Sequence, residues 1–249
     1  MIRYWFLLTA TLLLSVSPGY AEPQPRISII IDDLGYQLEL GRRAIRLPGP
    51  VAFAVLPGTP HGSRLAQFAN DRGKEVLLHL PLESVDQDGR IEPGGITLDM
   101  SRTGFKAAFA DALATVPFAI GVSSHRGSLL TRHPGHMAWL MQEIGAREDL
   151  FFIDSYTTHE SVALMVAAEA GVVATRRDVF LDHERSIEAV TLEFERLKSL
   201  ARRNGQAVAI GHPFPETLEV LERQLPLLEA EGIEVVTISR LLQQERNRI

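Results

Sequence analysis

Eight short apolar runs recur along this chain, and polar side chains capable of acid-base or metal chemistry stand where several of them end. Each run is rich in Val, Ile, Leu or Phe without strict alternation, which is typical of a parallel strand covered on both faces. Because the carboxyl ends of parallel strands open onto one face, we expect these polar groups to converge there. The predicted strands lie near residues 26–33, 51–56, 75–80, 118–123, 150–154, 172–175, 207–211 and 234–238.

Amphipathic helical segments separate the apolar runs. Their capping residues, first-turn prolines and terminal glycines predict helices from Ser101 to Leu113 and over 134–144, 159–170, 187–203 and 215–230. Sustained alternation of strand and helix implies a parallel sheet with helices outside, either closed as a barrel or open and doubly wound. We favour the closed form.

Residues 1–21 resemble a secretory signal peptide. Arg3 precedes the apolar run Trp5–Leu14, and the small residues Gly19 and Ala21 suit a cleavage site after Ala21. The run is short for a bilayer span, so an uncleaved anchor is the less favoured alternative, and no stable membrane span is expected after cleavage. Residues 22–249 are expected to form one catalytic-sized domain.

Composition narrows the classes of function. With 25 Lys and Arg against 31 Asp and Glu, the net charge of −6 would repel a phosphate backbone, which argues against nucleic acid as a partner. The chain has 0 cysteines, which excludes disulfides and thiolate chemistry. Its 45% hydrophobic content supplies a large core instead, and an exported protein of this kind fits a bacterial periplasm.

Two adjacent carboxylates, Asp32 and Asp33, end the first apolar run. Burying both is costly unless a cation or a proton neutralises them. Because neighbouring side chains diverge, one can bind a metal while the other stays free as a base. An Asx turn with a helix N-cap is the alternative, and it accounts for one Asp more readily than for both.

Histidines end three further runs. His79 is followed four positions later by Glu83, beyond Pro81, which we expect to lead the chain out of the sheet. A histidine and a carboxylate from one loop suit a divalent ion such as zinc. His125 lies in a turn of small residues, and His212 is placed as a general acid at the mouth of the site.

Other polar residues at strand ends are candidates for supporting roles. Arg126 and Ser128 flank the turn after His125 and could contact an anionic substrate. Asp154, Arg177 and Asp178 could be additional ligands or could orient a ligand from behind, although ordinary salt bridges and polar turns explain them nearly as well. We assign no role to the remaining histidines, His61, His133, His136, His159 and His183.

The long irregular stretch Pro81–Asp99 contains glycines, Pro93 and several charges, so we expect it to lie outside the core. It is either a loop that covers substrate or a solvated insertion. The chain lacks a Gly-x-Ser-x-Gly elbow, a P-loop and a dinucleotide fingerprint, which argues against serine hydrolases, kinases and dehydrogenases. Metal-assisted hydrolysis remains.

A succession of motifs resembles the divergent polysaccharide deacetylases, relatives of the carbohydrate esterases that remove N-acetyl groups from chitin or peptidoglycan. The resemblance spans residues 26–242, and it implies a deformed (β/α) barrel of seven to eight parallel strands and a metal-dependent hydrolase, usually with zinc. The motifs in order are IIDDLG, VAFAVLP, SRLAQFANDRGKEVLLHLPLE, GVSSHRGS, FFIDS, RDVFLD and AIGHPFPETL.

The resemblance also implies roles. Asp32 corresponds to the catalytic base, Asp33 to a metal ligand and His212 to the late histidine that acts as general acid. Ordinary members place two metal histidines four residues apart, whereas here the second position is Glu83. His125 is then the candidate for the missing ligand.

We therefore expect a periplasmic deacetylase that holds zinc or another divalent ion on Asp33, His79 and His125, with Glu83 as an additional or replacement ligand. Its partner would be an N-acetylated glycan or a peptidoglycan fragment. The alternative is a catalytically silent envelope protein that binds a glycan or a partner protein through the same cleft.

Overall fold

The computed structural model describes residues 24–85, 92–147 and 150–246. Within these ranges the chain alternates strands with helices, as predicted. The strands are β1 (Arg26–Leu34), β2 (Ala52–Val55), β3 (Val76–Leu82), β4 (Ala119–Arg126), β5 (Phe151–Asp154), β6 (Ala174–Arg176), β7 (Val179–Phe180), β8 (Gln206–Gly211) and β9 (Glu234–Val235). The helices are α1 (Leu38–Ile45), α2 (Gly62–Asn70), α3 (Arg102–Ala114), α4 (Pro134–Gly145), α5 (Ala163–Glu169), α6 (Ile187–Asn204), α7 (Pro215–Gln224) and α8 (Ile238–Arg246).

The strands form one parallel sheet with the order β6-β5-β4-β3-β2-β1-β8-β7, and β9 pairs with the first residues of β1 on the edge opposite β8. β6 and β7 stand at opposite ends of this order, yet β6 ends at Arg176 and β7 begins at Val179. Three Cα–Cα steps span at most about 11 Å, so the sheet must curl until its two edges face each other. The predicted deformed (β/α) barrel is confirmed.

The barrel keeps one open line. Among the described residues no strand pairing joins β6 to β7, and residues 176–179 cross between these two edges. We call this line the seam. Because the chain passes from one edge to the other at the carboxyl end of β6, the side chains of the seam stand close to the face where a site is expected.

Strand side chains divide between two apolar clusters. On β1, Ile27, Ile29 and Ile31 pack with the surrounding helices in the larger cluster, whereas Ile30 belongs to a smaller one. This alternation follows from the two-residue period of a strand. The smaller cluster also contains Leu241 from α8, so the last described helix packs against it.

Helix ends follow local chemistry, with two corrections. Ser101 Oγ accepts a hydrogen bond from the amide of Gly104, which confirms this residue as the cap of α3. α5 begins at Ala163 rather than at residue 159. α7 ends at Gln224 and a short 3-10 turn follows, because Pro226 lacks the N–H and the space that a continuing helix needs.

The interpretation of the stretch after His79 was wrong in two respects. Pro81 does not lead the chain out of the sheet, since β3 continues through Leu82 and Pro81 is in register with His125 of β4. Part of the long loop is also core: Ile96 is fully buried and forms a bridge with Leu82.

None of the described helices combines the length and apolar character required to cross a bilayer. The predicted signal peptide, residues 1–21, lies outside the described residues.

Candidate active site

A bulge at the end of β1 brings the adjacent carboxylates to one site. Asp32 follows Ile30 on the same face of the strand, so Asp33 would ordinarily face the opposite side. The pairing of β1 with β2 is irregular between Ile31 and Leu34, and Asp33 adopts a φ of 60°. As a result His79 Nε2 lies 3.5 Å from Asp32 Oδ2 and 3.2 Å from Asp33 Oδ1.

Unusual backbone conformations recur around the same opening. Of the four described non-glycine residues with positive φ, Asp33, Arg126 and Tyr156 all stand at or just beyond the carboxyl ends of site strands. Such conformations cost on the order of 1–3 kcal/mol each and concentrate at functional sites. Their clustering here supports the expected location of the site.

Three ligand-type atoms form a compact triangle. Asp33 Oδ1 lies 3.2 Å from His79 Nε2 and 2.9 Å from His125 Nδ1, and the two ring nitrogens are 3.1 Å apart. Zinc bonds of about 2.0–2.1 Å in tetrahedral geometry place ligand atoms about 3.3 Å apart. Asp33 Oδ1 is buried and, apart from these two ring nitrogens, has no hydrogen-bond partner in the described structure. These side chains therefore fit a shared divalent ion.

His79 is oriented by the neighbouring strand. Its Nδ1 is hydrogen-bonded to Ser123 Oγ at 2.7 Å, and both residues are buried. A hydrogen bond at one ring nitrogen fixes which nitrogen is free to bind a metal. In His79 the free nitrogen is Nε2, which faces the two carboxylates.

His125 has a carboxylate on its far side. Its Nε2 lies 3.1 Å from Glu92 Oε1, while its Nδ1 faces Asp33. Carboxylate–histidine pairs of this kind hold the ring and raise its basicity as a ligand. Glu92 also lies 3.4 Å from Arg126 Nε, so the long loop that contains Glu92 contributes to the site.

The charges of the triangle are strongly coupled. Burial opposes ionisation of Asp33, but its contacts with His125 and His79 outweigh burial and hold its pKa well below the usual range. Burial likewise opposes protonation of His125, yet Asp33 and Glu92 raise its pKa to about 9. Without a metal the site therefore pairs a carboxylate anion with an imidazolium.

Asp32 lies deeper than Asp33. Burial raises its pKa, and the nearby His79 and His212 oppose that effect only in part. Its Oδ1 is buried without a hydrogen-bond partner, and Ser155 Oγ approaches its Oδ2 at 3.5 Å. Because a poorly solvated carboxylate readily takes up a proton, Asp32 has the properties of a general base.

His212 approaches from β8, on the other side of the carboxylates. Its Nε2 lies 3.6 Å from Asp33 Oδ2, and its Nδ1 is hydrogen-bonded to Asp182 Oδ1 at 2.9 Å. Burial lowers the pKa of His212, but the hydrogen bond and negative charge of Asp182 outweigh it, so the net shift is upward. His212 is thus suited to hold a proton near neutral pH.

Some predicted site residues lie outside this constellation. Glu83 is not in the ligand triangle; its Oε2 accepts a hydrogen bond from the Leu98 amide, because an extended strand carries residue 83 about 13 Å beyond residue 79. Ser128 Oγ accepts a hydrogen bond from the Val85 amide. Both side chains fix loops in this geometry.

Asp154 fixes the turn after β5 through its hydrogen bonds. One oxygen accepts a hydrogen bond from the Tyr156 amide at 2.9 Å, and the other accepts one from Ser161 Oγ at 2.6 Å. Ser124 Oγ, 3.5 Å from Asp154, also accepts a hydrogen bond from the Ser155 amide. Asp154 thereby shapes the turn that presents Ser155 to Asp32.

The predicted arginines and Asp178 lie around the opening. Arg126 is exposed, and Arg177 donates hydrogen bonds to the carbonyl oxygens of Ser155 and Tyr156. Asp178 is exposed and accepts a hydrogen bond from the Val208 amide. None of these three residues contributes an atom to the triangle of Asp33, His79 and His125.

A small cavity of about 170 Å³ opens beside the triangle. It is smaller than the roughly 300–1,000 Å³ of sites that enclose a drug-sized ligand, so it matches a small group rather than a whole sugar. Its lining combines polar and apolar side chains: Asp32, His79, Ser124, His125, Arg126, Ser155, Thr157, Arg177, Phe180, Ile210 and His212.

Two contributors were not singled out from the sequence. Asp182 ends the motif RDVFLD, but nothing in that motif distinguishes it from the other charged residues. Glu92 lies in the long loop, 33 positions before His125, and no local sequence pattern indicates that the two residues are in contact. Both are recognisable only once the strands bring distant residues together.

Comparison with protein families matches the model of divergent polysaccharide deacetylases to residues 29–242. The uncharacterized protein YibQ of Escherichia coli K12 is 34% identical over 94% of this chain and 72% of its own length. An uncharacterized Haemophilus influenzae protein is 34% identical over 92% of this chain and 80% of its own.

Solved structures give the same fold. Protein ATU2773 of Agrobacterium tumefaciens C58 superposes with a TM-score of 0.84 at 25% identity, covering 90% of this chain and 92% of its own. The catalytic domain of a peptidoglycan N-acetylglucosamine deacetylase from Eubacterium rectale has a TM-score of 0.55 at 17% identity, covering 90% of both chains. A CE4 family pseudoenzyme from Bacillus anthracis has a TM-score of 0.51 at 14% identity, covering 88% of this chain and 66% of its own.

Proposed function

The chain belongs to the divergent polysaccharide deacetylase family, and from that premise we propose that it is an exported, metal-dependent hydrolase that removes N-acetyl groups from a glycan of the cell envelope. One observation carries the proposal. The triangle of Asp33, His79 and His125 lies between a buried carboxylate, Asp32, and a histidine held by a second carboxylate, His212. Amide hydrolysis needs these three functions side by side.

Asp33, His79 and His125 would hold the ion. Three nitrogen and oxygen ligands with one open position are typical of catalytic zinc, and zinc is the ion that we propose. When bound, such an ion polarises the acetamide carbonyl and acidifies water. Ser123 and Glu92 support the site by fixing the rings of His79 and His125.

Asp32 would accept the proton of the attacking water. It is buried, adjacent to the triangle and short of hydrogen-bond partners, so a water molecule in the small cavity would be its nearest source of a proton. His212 would donate a proton to the nitrogen of the departing amine. Asp182 raises its pKa and directs its Nε2 toward the carboxylates.

The cavity supports an acetyl group as the part of the substrate that enters the site. Its volume of about 170 Å³ suits an acetamido group, and Phe180 and Ile210 give it apolar walls that a methyl group can contact. The sugar ring would then remain at the opening. An N-acetylated glycan or a peptidoglycan fragment fits this arrangement, and the predicted signal peptide would bring the protein to the periplasm where such glycans lie.

A second candidate function is binding without catalysis. The fold is shared with a CE4 family pseudoenzyme, and the triangle carries a histidine from β4 where the sequence motif offers Glu83. An envelope protein that uses the cleft only to bind glycan would retain affinity without turnover.

Metal analysis combined with acetate release separates the two. Purified protein, as isolated and after zinc reconstitution, is assayed on chitotetraose and on peptidoglycan fragments. The hydrolase predicts about one zinc per chain and acetate release that stops on chelation and returns with zinc. Tight glycan binding without acetate from any of these substrates would establish the binding protein instead.

A further inference from the structure

A second and larger cavity, of about 550 Å³, lies along the seam next to the candidate active site. It shares Arg177 and Phe180 with the small cavity, so the two cavities adjoin at these side chains. Its volume is in the range of ligand sites that enclose a whole small molecule. The lining residues are Tyr156, Arg176, Arg177, Asp178, Phe180, His183, Glu193 and Arg196.

Arg177 is a partly buried cation without a contacting anion. Its guanidinium donates to two backbone carbonyl oxygens, at 2.7 Å and 3.1 Å, and lies 4.6 Å from the centre of the Phe180 ring. In the described part of the chain it forms no ion pair. Removing a charge from water without a partner is unfavourable, so this guanidinium is prepared for an anionic ligand.

Arg176 and Arg196 add to the positive charge. The guanidinium of Arg176 lies 4.4 Å from the centre of the Tyr156 ring, and this exposed residue likewise has no ion pair with a described residue. Arg196 contacts Glu193 at 3.1 Å through one nitrogen, which leaves the rest of its planar fork free.

The net charge of the cavity lining indicates the charge of its ligand. Three arginines face two carboxylates, Asp178 and Glu193, so one positive charge remains uncompensated if His183 is neutral. Asp178 also accepts the Val208 amide, which engages part of its carboxylate. This balance suits one negative charge, and planar guanidinium groups match a carboxylate in shape.

From this cavity we propose that the protein selects an acidic glycan: the seam cavity binds a carboxylate-bearing sugar while the neighbouring N-acetyl group occupies the small cavity. The placement of the N-acetyl group in the small cavity rests on the proposed function, whereas the binding of a carboxylate in the seam cavity does not. Arg176 and Arg196 then determine specificity, and Arg177 joins the two cavities.

The test compares an acidic and a neutral glycan of equal length. The probes are a tetrasaccharide of alternating N-acetylglucosamine and glucuronic acid, and chitotetraose. A disaccharide of N-acetylglucosamine and N-acetylmuramic acid is a second acidic probe with a different linkage. Binding is measured by calorimetry on zinc-loaded Asp32→Asn protein, so that turnover does not interfere.

We expect at least one acidic probe to bind about tenfold more tightly than chitotetraose, as a charge-assisted hydrogen bond allows. Arg176→Gln combined with Arg196→Gln should remove most of this preference and leave chitotetraose binding unchanged. The preference should also fall as salt rises. Arg203→Gln is the matched control, because Arg203 is exposed on the same helix as Arg196 but does not line the cavity. Because Arg176, Arg196 and Arg203 are all exposed, these substitutions should leave the melting temperature unchanged.

The failures of the two proposals are distinguishable. Equal affinity for all three probes, or a preference that survives the double substitution, overturns the acidic-glycan proposal even if wild-type protein releases acetate. A preference that depends on the arginines upholds it even if no probe releases acetate, in which case only the hydrolase is wrong.

Discussion

Asp182 receives two hydrogen bonds from His212, one from the ring Nδ1 to Oδ1 at 2.9 Å and one from the backbone amide to Oδ2 at 2.6 Å. The side chain of Asp182 is fully buried, and Thr217 Oγ1 donates a third hydrogen bond at 2.7 Å. A carboxylate fixed this firmly sets both the direction and the charge of the histidine. The proposed proton donor therefore depends on a residue that need not touch substrate.

Replacing Asp182 with Asn should reduce acetate release by about 10²-fold or more, in the range of general acid catalysis. The acid form of His212 is the active one, and Asp182 raises its pKa. In the variant that pKa falls, so the alkaline limb of the kcat profile should move to lower pH. Profiles recorded on the best substrate test this. Thr217→Val is the control, since it removes one hydrogen bond to Asp182 and should leave the limb in place; an unmoved limb in Asp182→Asn would contradict the assignment.

Substitution of either of the two adjacent carboxylates should have a different effect on the zinc content of the protein. Asp32→Asn should retain zinc and lose about 10² to 10⁴-fold in rate, because it removes the base and keeps the triangle. Asp33→Asn should lose zinc as well as turnover, since Asp33 Oδ1 is a corner of the triangle. Elemental analysis of both variants beside acetate-release rates checks this. Zinc loss from Asp32→Asn alone would exchange the two roles.

Much of the fold was predictable because it depends on local patterns. Apolar runs located the eight predicted strands, but β4 continues through Arg126, so His125 lies in the strand and not in the turn of small residues predicted around it. The missed strand, β7, has two residues and therefore no pattern of its own. The early end of α7 follows from Pro226, a signal that was present in the sequence.

The site was predictable only in part. Convergence of the strand ends explains why Asp33, His79 and His125 meet. The bulge at Asp33 was not predictable, because a positive φ at an Asp is decided by the surrounding packing. The sequence did not show that Pro81 stays in the sheet, where pairing between β3 and β4 brings His125 beside His79 and leaves Glu83 outside the triangle.

Ser123→Ala should weaken zinc binding about 10 to 100-fold, as loss of a hydrogen bond behind a histidine ligand typically does. Ser123 Oγ lies 2.7 Å from His79 Nδ1 and fixes the ring. Ser28→Ala is the matched control: Ser28 is also fully buried in a strand, but its hydroxyl has no hydrogen-bond partner in the described structure. The Ser28→Ala variant should bind zinc as tightly as the wild-type protein. Competition with a chromogenic chelator measures both variants, and equal affinities would contradict the role of Ser123.

Zinc binding should release a proton from His125. In the metal-free site Asp33 and Glu92 raise the pKa of His125 to about 9, whereas a ligand nitrogen must be unprotonated. Asp33 contributes no proton, because its pKa lies well below the usual range. Below pH 9, therefore, each bound zinc should displace about one proton from this ring, and apparent affinity should fall about tenfold for each unit of pH. Above pH 9 this release should vanish.

Calorimetry in two buffers of different ionisation enthalpy measures the release directly. Glu92→Gln removes one of the two charges that hold the proton on His125, so the pH at which release begins to decline should move downward. The same loss should make the metal-free variant less stable at neutral pH. A raised histidine pKa stabilises the fold fully below 6.5, and that contribution is lost as pH rises through about 9. Zinc binding without proton release at pH 7 would contradict this prediction, because a protonated His125 cannot become a ligand without losing its proton.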